Sequence, residues 1–187
     1  MTKIAILASH NGSGFDALLK AQILEDLDIE ISLVISNNTN AKVLLKAQLN
    51  NINTKVINSK TSLHVDNDID ELLQKHEVDY VFLSGYMKKL SSQTTKKFKI
   101  INSHPSLLPL HGGAGMYGKF VHEAVIDAKD KYSGVSVHYV DAEFDNGEII
   151  LQKKLKLDTN ETTLTLESKI KQLEKEAIIE AFKICLK

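Results

Sequence analysis

The chain has 187 residues, 43% of them apolar and 25% charged, which is ordinary for a soluble globular domain with a sizeable core. Its formal net charge of −1 gives no reason to expect binding to nucleic acid or to a membrane surface. All 23 basic side chains are Lys, because the chain contains no Arg. Any bound anion must therefore be held by Lys, hydroxyl groups or backbone N–H groups, without the two-pronged contacts of a guanidinium.

The sequence contains neither a hydrophobic signal region nor an apolar stretch long enough to span a membrane, so we expect a cytoplasmic protein. The one cysteine, Cys185, cannot form an internal disulfide and is expected to be a small core residue. His111 and His122 do not have metal-ligand spacing with any Cys or carboxylate cluster. We therefore expect no metal.

Strands and helices alternate along the first half of the chain. Short apolar runs predict buried strands, and apolar residues three and four positions apart predict helices. Asn40 is a plausible cap for the second helix. The predicted elements are, in chain order, strand Ile4–Ala8, helix Phe15–Leu24, strand Ile29–Ile35, helix Ala41–Leu49, strand Thr54–Ile57, helix Asp66–His76, strand Asp79–Leu83 and strand Lys99–Asn102. This alternation predicts a doubly wound, mostly parallel α/β sheet.

The pattern changes after Pro109. The elements predicted there are a glycine-rich loop over 112–118, helix Phe120–Ala128, strand Gly134–Val140, strand Glu148–Leu155 and a long helix over Thr162–Leu186. Asp145-Asn146-Gly147 lies between the two strands and favours a tight turn, which predicts an antiparallel extension of the sheet. No linker interrupts the chain, so we expect one domain over 1–187, with halves at about 1–100 and 101–187.

The segment Ser9–Gly14 joins the first predicted strand to the first helix. Glycine lets the backbone approach a ligand closely, and a helix N-terminus offers free N–H groups and the positive end of the helix dipole. The segment therefore suits a phosphate. It is not a Walker loop, and Ala17 interrupts a full Gly-x-Gly-x-x-Gly. A plain strand-to-helix turn explains the same residues about equally well.

Asn102 and His104 follow an apolar run and, if that run is a strand, project from the same side of the chain. Open α/β sheets bind ligands at the carboxyl ends of their strands. Asn102 can donate to a developing oxyanion, and His104 with the later Asp145 can manage a proton. These are the parts needed to move an acyl group onto an amine. Taken singly, however, His104 could be structural and Asp145 could be only a turn residue.

Two motifs, Asn102-Ser-His-Pro-Ser-Leu-Leu-Pro109 and Gly134-Val-Ser-Val-His138 followed by Asp145-Asn-Gly147, resemble those of the folate-dependent formyltransferases in order and spacing. The likeness extends to the loop near Gly12 and the Gly85–Met87 turn, and so to nearly the whole chain. It is greatest for the members that formylate phosphoribosylglycinamide in purine synthesis. The resemblance implies a Rossmann-like formyltransferase fold, 10-formyltetrahydrofolate as formyl donor, small-molecule substrates only, and a monomer or homodimer.

The resemblance also implies roles for individual residues. Asn102 would polarise the formyl oxygen, while His104 and Asp145 would handle the proton. We interpret Ser136 and His138, which share one strand face, as hydrogen-bonding support for that group. The residues implied to bind phosphoribosylglycinamide are Gly12, Ser13, Gly14, Met87 and Glu174. The residues implied to bind folate are Met87, Lys88, Leu90, Val140, Asp141, Ala142 and Glu143.

Four positions qualify these roles. Many relatives carry Asn at the position of Gly14, Arg at that of Lys88 and often Gln at that of Lys171. Lys88 can still attract an anionic folate tail as a point charge. Glu174 has an alternative interpretation as an ordinary solvated helix residue, because other charged residues surround it.

Three other functions share or contest the motifs. A formyltetrahydrofolate hydrolase would use the same Asn, His and Asp with water as acceptor, usually behind an N-terminal regulatory domain that we do not expect here. A methionyl-tRNA formyltransferase would need a longer C-terminal region and a more basic surface. A non-catalytic Rossmann-type nucleotide-binding module would leave the Asn102, His104 and Asp145 set unexplained.

Overall fold

The computed structural model describes the whole chain, Met1–Lys187. The strands are β1 (Thr2–Leu7), β2 (Ile29–Ser36), β3 (Asn53–Val56), β4 (Tyr80–Leu83), β5 (Lys99–His104), β6 (Tyr132–Tyr139) and β7 (Ile149–Lys156). The helices are α1 (Ser13–Ile23), α2 (Lys42–Leu49), α3 (Val65–Lys75), α4 (Ser92–Lys97), α5 (Lys119–Asp127) and α6 (Thr163–Cys185). The strands form one seven-stranded sheet in the order β3-β2-β1-β4-β5-β6-β7.

The chain divides into two compact units, Met1–Ile101 and Asn102–Lys187. In the first unit, β1 pairs in parallel with β2 and β4, and β2 pairs in parallel with β3. The residues of β1 from Ile4 to Leu7 are fully buried, as predicted for a strand covered on both faces. The doubly wound, mostly parallel α/β sheet predicted from the sequence is confirmed. The expectation of a single domain stays a prediction.

Two local features of the first unit differ from the predictions. Helix α4 was not predicted, because its sequence contains no apolar residue from which a helical period could be read. It forms because Ser91 caps it, accepting a hydrogen bond from Thr94 N, while Thr94 Oγ1 donates to the buried Asp70. The expected cap Asn40 is wrong: Ala41 is the N-cap of α2, and no side chain caps that helix.

In the second unit, β6 and β7 form the predicted antiparallel pair, and α6 packs on both strands and against α5. A capping box between Thr162 and Thr165 begins α6. Its buried face consists of Leu166, Ile170, Ala177, Ile178, Ala181 and Phe182. Cys185, expected in the core, is only partly buried because it ends the helix. None of the helices combines the length and the apolar character that a membrane span requires.

The expected tight Asn-Gly turn between β6 and β7 is wrong. A longer loop over 140–148 connects the strands, and the left-handed residue in it is Asp145, with φ of 54°, rather than Gly147. Gly147 is needed for a different reason, since a Cβ there would lie 1.8 Å from Tyr139 O. The loop therefore closes the β6–β7 hairpin without a tight Asn-Gly turn, and it contains Asp145 in a left-handed conformation.

Candidate active site

The loop between β1 and α1 ends in a glycine that has a left-handed backbone conformation. Gly12, the N-cap of α1, has φ of 65°, and a Cβ there would lie 2.5 Å from Val43 Cγ2. Both facts require glycine at this position. Gly12 and Ser13 have no protein acceptor for their N–H groups. Two backbone donors at the positive end of α1 are thus available to an anion, together with the exposed Ser13 side chain.

Ser84, at the end of β4, occupies the next two N–H groups of the same helix. Its Oγ accepts hydrogen bonds from Gly14 N at 2.9 Å and from Phe15 N at 3.3 Å. A Cβ on Gly14 would lie 2.4 Å from Phe82 Cε1 and 3.1 Å from Ser84 Oγ. The glycine at this position therefore makes room for Phe82 and Ser84. Gly14, predicted to bind phosphate through its backbone, instead donates its N–H inside the protein.

The Gly85–Met87 turn is tied to the loop that follows β1. Met87 N donates to Ser9 Oγ at 2.7 Å, and Ser9 N donates to Gly85 O at 3.1 Å. Met87 is 42% exposed and Lys88 is exposed, so both side chains are open to a ligand. The Leu90 side chain is buried, so core packing accounts for it.

The second unit brings together the predicted Asn, His and Asp, with His138 of β6 among them. Asn102 Nδ2 lies 3.2 Å from His138 Nε2. His104 Nδ1 lies 3.4 Å from Asp145 Oδ2, and His138 Nε2 lies 3.6 Å from Asp145 Oδ1. We call these four residues the polar cluster. It contains an amide donor and a carboxylate between two imidazoles, all of them buried or nearly so.

His104 is buried, and both of its ring nitrogens face acceptors. Nε2 lies 2.8 Å from His111 O, and a carbonyl can only accept, so Nε2 carries a proton. Burial lowers the pKa of His104 from its ordinary value, although Asp145 and the His111 carbonyl act to raise it. The negative charge of Asp145 opposes that lowering of the pKa, but burial outweighs it. The neutral imidazole is therefore favoured at neutral pH.

Asp145 lies beside both imidazoles and accepts a hydrogen bond from the glycine-rich loop. Its Oδ2 accepts a hydrogen bond from Gly113 N at 2.9 Å. Burial alone would raise the pKa of the Asp145 carboxyl, but the His138 ring, the His104 ring and the Gly113 N–H together lower it. A carboxylate beside a neutral imidazole can take up one proton. The His104–Asp145 pair therefore has the composition of a proton acceptor.

Ser136 and His138 share a strand face as predicted, but they form hydrogen bonds to different parts of the protein. Ser136 Oγ donates to Ser106 O at 2.7 Å and accepts from Leu108 N at 2.9 Å, so it fixes the loop that contains both prolines. Gln152 Nε2 also donates to Ser136 Oγ. His138, by contrast, belongs to the polar cluster and contacts Asn102 and Asp145.

Glu174 on α6 is not the solvated helix residue of the alternative interpretation. It is partly buried, and its Oε1 accepts a hydrogen bond from Ser103 Oγ at 2.7 Å. Lys171, one of the charged residues around Glu174, forms its ion pair with Glu167. Burial raises the pKa of the Glu174 carboxyl, against the opposing effects of Ser103, Lys171 and Lys175.

The remaining residues with an implied role in folate binding lie in the loop after β6. Asp141 and Glu143 are exposed, whereas Val140 and Ala142 are half-buried. Asp141 shapes the loop, because its carboxylate accepts from Glu143 N at 2.8 Å and from Asn146 Nδ2 at 3.2 Å. At least part of this segment is therefore ordered by its own hydrogen bonds.

Sequence reasoning missed Ser84, Ser103 and the backbone carbonyl of His111. Only Ser103 carried a signal, since it lies between Asn102 and His104. His111 itself pairs through Nε2 with Asp130 Oδ2 at 2.7 Å. No group of three or more His, Cys, Asp or Glu side chains is placed to hold a metal ion.

Comparison with known proteins decides the family. A model described as formyl transferase matches residues 2–182 of the chain. The chain belongs to the formyl transferase family. This formyl transferase is 35% identical over 179 residues to phosphoribosylglycinamide formyltransferase of Bacillus subtilis, covering 93% of the chain and 89% of that protein. It is also 35% identical to the Haemophilus influenzae protein of the same name, with 93% and 82% covered.

Solved structures agree with this assignment. The phosphoribosylglycinamide formyltransferase of Bacillus halodurans is 29% identical, with a TM-score of 0.90 over 99% of this formyl transferase and 95% of that chain. The protein of the same name from Anaplasma phagocytophilum is 35% identical, with a TM-score of 0.86 over 97% and 85%. The fold expected from the resemblance is confirmed.

Proposed function

We propose that this formyl transferase moves the formyl group of 10-formyltetrahydrofolate to the amine of 5′-phosphoribosylglycinamide, a step of purine synthesis. The convergence of Asn102, His104 and Asp145 in the second unit carries the proposal. The curated relatives that share the chain's length bear the name of this activity.

The reaction begins when the amine nitrogen attacks the formyl carbon. A C–N bond forms, and the formyl oxygen becomes the anion of a tetrahedral intermediate. Asn102 Nδ2 donates a hydrogen bond to that oxygen, which is worth about 3 kcal/mol for a donor aimed at a developing oxyanion. No residue serves as a covalent nucleophile, because the amine attacks directly.

The His104–Asp145 pair then manages the proton. Neutral His104 and ionised Asp145 take one proton from the attacking nitrogen through a water molecule, and they deliver it to the departing folate nitrogen as the original C–N bond breaks. While the pair holds that proton, His104 is an imidazolium. Its positive charge is therefore present when the formyl oxygen is negative, which is when that charge is useful. Burial of His104 supports this order of events, since it keeps the ring neutral beforehand.

The first unit supplies the groups for phosphate. Gly12 N–H, Ser13 N–H and Ser13 Oγ bind the substrate phosphate at the N-terminus of α1, which suits a chain without Arg. Glu174 binds the substrate amine, and its hydrogen bond with Ser103 orients the carboxylate. Met87, Lys88 and the segment 140–143 contact the folate.

The test is a formyl-transfer assay with and without the amine substrate. We expect consumption of 10-formyltetrahydrofolate that requires phosphoribosylglycinamide and yields the formylated amide. Formate release at the same rate without the amine would identify a hydrolase. Binding of a nucleotide with no turnover of 10-formyltetrahydrofolate would identify a non-catalytic module. Either of these results would overturn the proposal.

A further inference from the structure

His138 has no part in the steps above, although it touches two of the residues that perform them. It is 2% exposed, and its ring contacts Asn102, Asp145 and a backbone carbonyl. A fully buried imidazole with three polar neighbours is constrained in both its proton position and its charge.

The backbone fixes the position of the proton on His138. Nδ1 lies 2.8 Å from Tyr139 O, which can only accept a hydrogen bond. Nδ1 therefore carries a proton, and in the neutral ring Nε2 carries a lone pair.

That lone pair determines which way the Asn102 amide faces. Asn102 Nδ2, 3.2 Å from His138 Nε2, can donate to it, whereas the amide oxygen could not. The Asp145 carboxylate makes the opposite demand on Nε2, because it accepts only, but its Oδ1 is farther away at 3.6 Å. The geometry therefore favours neutral His138 with the Asn102 amide nitrogen turned toward it.

We propose that His138 is the positioning residue for Asn102: its unprotonated Nε2 accepts one N–H of the Asn102 amide and thereby presents the second N–H to the reacting formyl oxygen. This inference rests on the proposed function, because it gives Asn102 the role of oxyanion donor. Without that acceptor, the amide can rotate and turn its oxygen toward the developing anion, which repels it.

The first test reads the His138 proton directly and needs no activity. In the 15N-labelled full-length protein at the pH of the assay, long-range 1H–15N spectra distinguish protonated from unprotonated ring nitrogens. His138→Gln assigns the signals. We expect His138 to be neutral with the proton on Nδ1. A proton on Nε2, in either the neutral or the charged ring, would overturn the proposal.

The second test is a double-mutant cycle with Asn102. His138→Leu removes the acceptor, whereas His138→Gln retains a neutral acceptor oxygen that can reach the position of Nε2. We expect the Leu variant to lose about tenfold in kcat with little change in the KM for phosphoribosylglycinamide, and the Gln variant to recover most of that loss. In an Asn102→Ala background the Leu substitution should cost less than about twofold, because His138 acts through Asn102.

A matched control is His122→Leu, which removes a buried imidazole of α5 whose Nδ1 has no partner. Its effect on kcat should be equal in both backgrounds. An equal loss for His138→Leu in both backgrounds, or a Gln variant as slow as the Leu variant, would overturn the proposal. If Asn102→Ala itself turned over normally, the role assigned to Asn102 under the proposed function would fail, whatever the His138 spectrum showed.

Discussion

The loop after β1 and the polar cluster differ in the kind of atom that each presents. The loop offers backbone N–H groups of Gly12 and Ser13, whose donor character does not change with pH. The polar cluster offers side chains whose donor or acceptor character depends on where protons sit, as at His104 and Asp145.

This difference has consequences for mutation. A site made of backbone N–H groups tolerates side-chain changes, except where a side chain in place of glycine would collide with a neighbour. Gly12 and Gly14 are such positions. A side-chain site fails when a single proton or amide is lost. We therefore expect changes in the loop to affect binding of the phosphorylated substrate, and changes in the polar cluster to affect turnover and its pH dependence.

The largest effect of a change in the polar cluster is expected at Asn102. Asn102→Ala should lower kcat at least about a hundredfold, because it removes a hydrogen bond to charge that exists only in the transition state. The KM for phosphoribosylglycinamide should change by less than about threefold. Steady-state kinetics checks both values. Turnover within a few-fold of wild type would remove Asn102 from the mechanism.

Asp145→Asn should lower turnover by at least about tenfold. The variant keeps the size of the side chain, and Asn tolerates the positive φ of this residue, so the protein should still fold. Loss of the carboxylate removes an interaction that raises the pKa of His104, so that pKa should fall further.

In the rate–pH profile of Asp145→Asn, the limb that reports His104 protonation should move to lower pH. Glu148→Gln removes a carboxylate from the same exposed loop and is the control. Wild-type turnover with an unmoved profile in Asp145→Asn would leave Asp145 as a turn residue and the mechanism without its proton acceptor.

The loop should respond in the opposite way. Ser13→Ala removes one hydroxyl beside the two available N–H groups and should raise the KM for phosphoribosylglycinamide by about two- to tenfold. Neither kcat nor the KM for the folate should change. Ser13 is a better probe than Gly12, where any side chain would collide with Val43. A rise in the folate KM instead would show that the loop binds the other substrate.

A smaller effect concerns stability near the polar cluster. Burial lowers the pKa of His122 in the folded protein, aided by Lys171 and His104 and opposed by Glu167. Below the ordinary histidine value of about 6.5, the unfolded chain binds the extra proton first, so stability falls as pH falls.

Removing that imidazole with His122→Leu should flatten the loss of unfolding free energy as the pH falls below about 6.5. One histidine can change the slope by at most about 1.4 kcal/mol per pH unit. Urea denaturation at several pH values measures it. Parallel curves for the variant and the wild type would show that burial does not suppress protonation of His122.

Much of the fold followed from hydrophobic periodicity. The apolar run of β1 is short but unbroken, and the apolar face of α6 extends over a long helix. Both are signals that tertiary contacts do not reverse. Helix α4 escaped prediction because capping by Ser91 and a buried bond from Thr94 to Asp70 stabilise it. The Ser91 cap is local, but the bond from Thr94 joins it to a residue 24 positions earlier in the chain, which no local pattern reveals.

In the candidate site, too, the residue types were predictable from the sequence, whereas some of their contacts were not. Residue type and spacing singled out Asn102, His104 and Asp145. The structure places His104 beside Asp145, and it connects Asn102 to Asp145 through His138. The roles assigned to these residues stay predictions. The sequence could not reveal that Ser84 Oγ accepts a hydrogen bond from Gly14 N or that His104 Nε2 donates to a backbone carbonyl. Both depend on three-dimensional proximity between a side chain and a main-chain atom.

The division of labour between the loop and the polar cluster is tested most directly by single-turnover kinetics with enzyme in excess. The limiting rate at saturating enzyme reports the chemical step. The enzyme concentration that gives half that rate reports binding of phosphoribosylglycinamide. We predict that Asn102→Ala lowers the limiting rate at least about a hundredfold at an unchanged half-saturation, while Ser13→Ala raises the half-saturation at an unchanged limiting rate. A reversed pattern, or both variants altering the same parameter, would contradict the account.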